Sequence, residues 1–377
     1  MRILKVLPIL IATLLFSVKT IAQPALTQQA QISLLTCGAG NELYSIFGHT
    51  AIRVNEPSLG IDVVYNFGTF DFDTGNFYLK FVKGDLQYYV SASTYADFVY
   101  TYQYYNRDVL EQKLNLTQEQ KQQISNELYK RFSSDEKYYT YKFFDRNCTT
   151  MVGDILEMYV PGKLSMKNSD AGRTNRQIIY SRLNNKFYEN LGISLIFGHK
   201  TDLEQYKLFL PTHLMEGVAN TATPQGALAP QPVTVFKATT EPETSVWNNY
   251  YTYAAVCLVL MYFSRKQLVQ RSLLAIFGLL GIFFTFVGFY SFHEEITQNY
   301  NALLINPLLL LVLVFIFAGN AKAAKITAWI CLACTALYLV LMLNKPHLIA
   351  VLPLMALIIL LLLEVLGIKY HKNKAVK

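Results

Sequence analysis

Cys148 stands in the run Tyr141-Lys-Phe-Phe-Asp-Arg-Asn-Cys-Thr-Thr-Met-Val-Gly-Asp-Ile-Leu156, where a polar loop opens into an amphipathic helix. Far upstream, His49 lies in Phe47-Gly-His-Thr-Ala-Ile-Arg53, which reads as the start of a strand. A thiol and an imidazole brought together make a nucleophile with its base. Helix-end amides and the macrodipole favour the thiolate over the thiol.

An imidazole acting as base needs a third group to fix its tautomer. Strands over His49–Val54 and Ile61–Phe67, joined by Asn55-Glu-Pro-Ser-Leu-Gly60, supply candidates. The pattern predicts a hairpin pairing Val54 with Ile61, Arg53 with Asp62, Ile52 with Val63 and His49 with Asn66. An opposite-charge pair and an apolar pair favour that register. Asn66 is then the orienting residue, with Asp62 as the alternative, and a slip of one residue would send Asn66 to the other face. His199 and His213 read as surface loop residues, and His293 as part of an external membrane loop. Asp145, Asp154 and Asp202 read as solvated or capping carboxylates. Metal-ligand spacing and a Gly-rich phosphate loop are both missing from the sequence, so neither metal nor cofactor is expected.

Around these residues the sequence predicts an α+β domain with an antiparallel sheet. Ile32–Thr36 reads as a strand ended by Cys37-Gly-Ala-Gly40, and Asn41–Phe47 as a short helix. Further strands are expected at Phe77–Phe81, Gln87–Ser91 and Val109–Leu114. Thr117-Gln-Glu-Gln120 is a capping box opening a helix to Phe132, with Ile124 and Leu128 facing inward. The Cys148 helix runs to Tyr159 and stops at Pro161-Gly162; Met151, Val152, Ile155 and Leu156 follow the helical period. Tyr95–Tyr105 is dense in aromatics, which suit an acyl-chain groove, a membrane interface or ordinary packing. Thr221–Ser245 is rich in Pro, Thr and Ala and reads as a linker.

Hydrophobicity is unevenly placed along the 377 residues. Residues 23–245 are polar and aromatic-rich, whereas 246–368 are almost wholly apolar, in runs long enough to span a bilayer. Five spans are predicted: Val246–Phe263, Ser272–Phe292, Ala302–Ala318, Ile326–Leu343 and Leu348–Ile368. Arg265, Lys266, Arg271, Lys322, Lys325 and the tail lysines 369, 372, 374 and 377 fall on one side, against Lys345 on the other. The positive-inside rule makes the first side cytoplasmic and places residues 23–245 outside. The N-terminus agrees. Arg2 and Lys5 precede an apolar stretch to Val18 and a cleavage point at Ala22-Gln23, as in a signal peptide, with an uncleaved anchor as the alternative. The expected domains are thus a signal peptide (1–22), a periplasmic domain (23–220), a linker (221–245), a five-span domain (246–368) and a cytoplasmic tail (369–377) of an inner-membrane protein. The net charge of +7 sits largely beside the spans and forms no basic stripe, which argues against nucleic acid. Two cysteines in an exported domain do not make a disulfide scaffold, though a single Cys37–Cys148 bridge is the competing reading. Cys331 and Cys334 read as helix-packing thiols.

The motifs taken together resemble a known family. Phe47-Gly-His-Thr-Ala-Ile-Arg53, Tyr65-Asn-Phe-Gly68, Asn106-Arg107 and Tyr139-x-Tyr-x-Phe-Phe-x-x-Asn-Cys-Thr-Thr150 with Asp154 are similar to the Lnb N-terminal periplasmic domain. Phe197-Gly-His-Lys-Thr-Asp202 and Phe209-Leu-Pro211 fit its tail, so the resemblance covers about residues 30–220; Arg146 and Thr150-Met151 depart from its pattern. The resemblance implies a circularly permuted papain-like fold of the NlpC/LRAT kind, with His before Asn-Cys. It implies Cys148, His49 and Asn66 as catalytic residues, and Arg53, Tyr65 and Asn147 as substrate-binding residues. It further implies lipoprotein N-acyl transfer, from a membrane phospholipid through a Cys thioester to the α-amino group of a diacylglyceryl-modified N-terminal cysteine of an apolipoprotein. A thiol hydrolase of cell-wall peptides or lipid esters, and a sensor module with a vestigial site, are the competing readings. Five spans favour a lipid substrate, because tethering a peptidase needs only one.

Overall fold

A computed structural model describes residues 23–239 and 245–367. The expected signal peptide and cytoplasmic tail, and residues 240–244 of the expected linker, lie outside them.

The exported domain is built on a seven-stranded sheet in the order β6-β4-β3-β2-β1-β5-β9, antiparallel throughout. The strands are β1 (Gln31–Cys37), β2 (His49–Glu56), β3 (Ile61–Thr69), β4 (Gln87–Thr94), β5 (Val109–Lys113) and β6 (Tyr138–Thr140). Two short strands, β7 (Ala222–Thr223) and β8 (Gly226–Ala227), pair with each other, and β9 (Val233–Phe236) closes the edge beside β5. The expected linker therefore contributes strands, and β9 extends the sheet.

Both sheet faces are covered, as alternation along each strand requires. On one face Ile32, Leu34, Ile52, Val54 and Phe67 pack beneath Ile124 and Leu128 of α3 (Gln118–Ser133) and Met151, Val152, Ile155 and Leu156 of α4 (Cys148–Tyr159). On the other, Leu35, Cys37, Ala51, Val64 and Val109 pack beneath Phe98 and Tyr102 of α2 (Tyr95–Tyr104). The Thr117–Gln120 capping box is formed in both directions. The aromatic run 95–105 is thus a helix with one packed side.

Three expectations are corrected. Phe77–Phe81 is helical, within α1 (Phe77–Lys83): Phe77 and Phe81 stack one turn apart at 6.4 Å, and Gly84 caps the end at φ 75. Asn41–Phe47 is a chain of turns, tied by Ser45, whose N–H and hydroxyl both donate to the Glu42 carbonyl. The β2–β3 register is two residues away from the expected one: Ala51 pairs with Asn66, Ile52 with Tyr65, Val54 with Val63 and Asn55 with Asp62. The strands run on to Glu56 and Ile61, because the Glu56 carboxylate caps the Pro57–Leu59 turn and Gly60 takes φ 65. A two-residue shift keeps every side chain on its own face. Asn66 therefore stays on the face of His49, and Arg53 still reaches Asp62, now diagonally, at 2.7 Å.

After β6 and α4 come α5 (Asn175–Arg182), α6 (Phe187–Ile196) and α7 (Pro211–Ala219), and then the apolar helices α8 (Tyr250–Phe263), α9 (Gln267–Tyr290), α10 (Leu308–Phe317), α11 (Ala321–Met342) and α12 (Leu348–Leu366). Among the described residues α9, α11 and α12 are long and apolar enough to cross a membrane, and α10 with the preceding turns 294–303 makes a fourth candidate bent by 45° at Leu304–Pro307. At 14 residues α8 is shorter than the stretch expected from Val246. All five predicted spans contain apolar helix, but the third is broken and the first is short.

The shared core under α4 makes a local prediction. Ile155 is fully buried. Ile155→Ala should lower stability by about 2–5 kcal/mol, read as a fall in the near-UV circular dichroism melting temperature.

Candidate active site

The site lies where β2 begins, β3 ends and α4 starts. Asn147 is the N-cap of α4: its side-chain oxygen accepts the N–H groups of Thr149 and Thr150, each at 2.9 Å. Its amide donates to the carbonyls of Phe143 and Phe209. This side chain is consumed in building the helix start, which aims Cys148 out of the first turn. The Cys148 N–H, at the first helical position, is among the amides a helix leaves without an internal acceptor.

β3 carries an irregularity between Asn66 and Thr69, and Gly68 within it has φ 94. A side-chain carbon at Gly68 would stand 3.6 Å from the Cys148 Cβ. The glycine thus supplies the left-handed backbone, with the thiol's own carbon in contact distance of it. Beyond it, the His49 ring acts on the sulfur electrostatically, and His49 Nε2 meets Asn66 Oδ1 at 3.3 Å. With Nε2 donating to the amide oxygen, Nδ1 is left to accept the thiol proton. Tyr102 lies parallel to the imidazole at 6.5 Å.

Burial pushes the Cys148 thiol up. The electrostatic influence of His49, the Thr50 N–H and the Thr149 hydroxyl outweigh that, and the pKa falls below the ordinary thiol value. Thr149 is held in turn by Thr50, hydroxyl to hydroxyl at 2.9 Å. Cys37, directly opposite His49 across β1–β2, is a free buried thiol pushed up to about 12 by burial. Cys148 is also free, so the expected competing bridge between the two is not formed.

Beside His49 opens a cleft of about 260 Å³ lined by Asn66, Thr69, Ser91, Ser93, Asp97 and Thr101, with Tyr102 at its back. On the other side of Gly68 the buried Tyr139 hydroxyl has no hydrogen-bond partner among the described residues and stands 4.0 Å from where a Gly68 Cβ would be.

Cys148, His49 and Asn66 are brought together; the other three predicted site residues are placed elsewhere. Arg53 is bound by Asp62 and Glu111 and lies over the Tyr95 ring. Tyr65 is in the core against Phe132, on the face opposite Asn66. Asn147 has the capping role described above. Asp62, the alternative orienter, is held by Arg53. His213 is not a surface residue: it is fully buried in α7 between Gln205 and Asp170. Gly68, Thr50 and Tyr139 belong to the site without being singled out for it by sequence reasoning. For the first, the signal is the Asn-Phe-Gly68 ending of a strand.

A thiol and an imidazole mounted at the end of an antiparallel sheet, above a bundle of apolar helices, define a membrane-anchored thiol protein. Residues 20–182 match the Lnb N-terminal periplasmic domain and residues 250–373 match the Lnb transmembrane domain. The chain belongs to the Lnb family and is a membrane protein with an exported N-terminal domain. No curated protein and no solved structure matches it. Both halves of the thiol site fall inside the first match, whereas the motifs at 197–211 fall beyond it.

The electrostatics predict selective alkylation. In the folded protein a water-soluble haloacetamide should modify Cys148 ahead of Cys37. The rate should rise through a midpoint below the ordinary thiol pKa, and His49→Ala should move that midpoint upward. Equal labelling of the two thiols would contradict this assignment.

Proposed function

We propose that the protein is a lipoprotein N-acyltransferase of the inner membrane, and that Cys148, His49 and Asn66 carry the reaction. The observation that carries the reading is the thiol–imidazole–amide line at the start of α4. Membership of the Lnb family supports the acyltransferase role and the lipoprotein context. The donor is a membrane phospholipid and the acceptor the α-amino group of an apolipoprotein N-terminus.

In the first half, His49 Nδ1 takes the Cys148 proton and the sulfur attacks the acyl ester carbonyl. The tetrahedral oxyanion is received by the Cys148 N–H and the Tyr139 hydroxyl, two donors left open at the site. Collapse expels the lysophospholipid alkoxide, which takes its proton from the imidazolium, and leaves the Cys148 thioester. In the second half, the acceptor amine attacks the thioester carbonyl, His49 takes the amine proton, and the thiolate leaves with the amide formed. Asn66 holds Nε2 as donor throughout.

Water competes for the thioester, and the hydroxyl-lined cleft beside His49 is the specific observation that favours a hydrolase as the second reading. An amine succeeds when it is held in place, since good orientation is equivalent to about 10⁵–10⁸ M of reactant. The cleft, with Asp97 at its rim, is where we place the acceptor.

Topology follows the charge bias: residues 23–245 in the periplasm, five passes, and the tail from 369 in the cytoplasm. Reporter fusions after Lys374 and after Glu243 should report opposite sides; the same side for both would defeat the five-pass count.

Purified protein given phospholipid and a diacylated lipopeptide should yield lysophospholipid and N-acylated peptide in equal amounts. Free fatty acid with no acylated peptide would select the hydrolase. Cys148→Ser should abolish the thioester. Tyr139→Phe should slow acylation on the order of 10²-fold while leaving the rate of Cys148 alkylation unchanged, which separates an oxyanion donor from a folding residue.

A further inference from the structure

Helix α1 presents an apolar surface that nothing among the described residues covers. Tyr78 and Leu79 are 78% and 72% exposed. Phe72, Leu43 and Tyr44 are exposed beside them, and Tyr44 packs edge-on to Phe72 at 6.4 Å. On a water-facing surface such a contiguous patch marks an interaction site.

The end of α1 fixes where this patch stands. Its last three carbonyls accept hydrogen bonds from three successive residues just past the end of α9. Phe81 O accepts from His293 Nε2 at 2.8 Å, Val82 O from the Ser291 hydroxyl at 2.8 Å, and Lys83 O from the Phe292 N–H at 2.7 Å. A helix end leaves such carbonyls open to outside donors; Phe81 O also accepts the Gly84 N–H at 3.1 Å. Gly84 makes the junction close: a Cβ there would lie 2.9 Å from the His293 nitrogen. α9 has 24 residues, about 36 Å of helix, enough to cross a bilayer core of roughly 30 Å. Its end at Tyr290 is therefore at the membrane surface, and α1 is fastened to that end. Phe289, Tyr290 and Phe292 are exposed around the junction, as in an interfacial aromatic belt.

From this patch a band of touching rings leads inward. Phe72 meets Phe70 at 4.9 Å and Phe77 at 5.0 Å, Phe70 meets Tyr88 at 5.3 Å, and Tyr88 meets Tyr141 at 4.7 Å and Tyr139 at 6.4 Å. Tyr139 borders Gly68 and Cys148.

We propose that α1, with Phe72 and the Leu43–Tyr44 turn, lies in the outer leaflet of the membrane that α9 crosses. Tyr78 and Leu79 insert among the acyl chains, and Lys80 and Lys83 stand at headgroup level. The lip draws one phospholipid chain along the aromatic band, so that its ester arrives at the Tyr139 side of Cys148 while the polar cleft stays free for the acceptor. Only this last step rests on the acyl-donor reading; insertion does not.

The test uses the full chain in vesicles of phosphatidylethanolamine and phosphatidylglycerol, with Tyr78→Trp in a Trp247→Phe, Trp329→Phe background. Fluorescence should be blue-shifted, quenched by lipids brominated on the upper acyl chain, and shielded from iodide. Water-like emission open to iodide and indifferent to brominated lipid would overturn the proposal. In addition, Leu79→Glu should lower acylation of Cys148 from vesicle phospholipid on the order of tenfold, the cost of a charge among acyl chains, with Cys148 alkylation unchanged. Unchanged acylation in Leu79→Glu would overturn delivery along the lip. Lipid-quenched indole emission from the Tyr78→Trp protein, with no acyl group accepted by Cys148, would leave the lip standing and defeat the donor reading instead.

Discussion

The exported domain and the helical bundle are joined through one buried cation. Arg176 in α5 is almost fully enclosed and uses its guanidinium on Asp202 Oδ1 at 2.7 Å and on the carbonyls of Ser194, Phe197 and Gly198. Asp202 is shared with Lys345 from the loop between α11 and α12 at 3.0 Å. The Ser194 and Phe197 carbonyls are shared with Asn301 from the turns before α10, and Asn301 accepts in turn from the Tyr338 hydroxyl of α11. Exported domain and helical bundle thus meet on the same few polar atoms. Removing one partner of such a set strands a buried charge, which costs far more than an exposed pair contributes. Surface pairs such as Lys130–Glu136 have no comparable role.

With that junction held, the site is assembled from a strand start, a strand irregularity and a helix N-terminus, none of which is reactive alone. The two sheet faces are sealed by α3 and α4 on one side and α2 on the other, so the open end of β2–β3 is where thiol and imidazole can meet. The same closure explains why the two exported cysteines differ. Both are free, but Cys37 is buried with burial dominating, whereas Cys148 has a cation, an amide and a hydroxyl directed at its sulfur.

The surroundings of the thiol are also divided. Beside His49 is a hydroxyl-lined cleft, and beyond Tyr139 a run of aromatic rings ends on the exposed face of α1. A transfer between an acyl chain and an amine requires environments of both kinds near one sulfur, whereas a cell-wall peptide hydrolase requires only the first.

Sequence alone was enough to single out the thiol and the imidazole that the fold brings together, the helix starts and the apolar C-terminal half. Cys148 before an amphipathic run, the Thr117–Gln120 box and the long apolar stretches are local patterns, and local hydrogen bonding or transfer free energy decides them. Asn66 survived an error in register because side-chain direction in a strand has a period of two and the error was two residues. The other differences arose where a decision is non-local. Phe77–Phe81 has strand-like residues but is helical, and the end of its helix is held by residues 291–293, more than two hundred positions away. Arg53, Tyr65 and Asn147 sit in motif positions around the thiol site, but two of them face an ion-pair cluster and the core, and the third is a cap. Val233–Phe236 joined the sheet because β5 had an open edge, and the hydroxyl of Tyr139 came to rest beside Gly68 only once β4 and β6 had paired. Spacing along a chain encodes which residues share a helix turn or a strand face; which face meets which is set by the packing of distant elements.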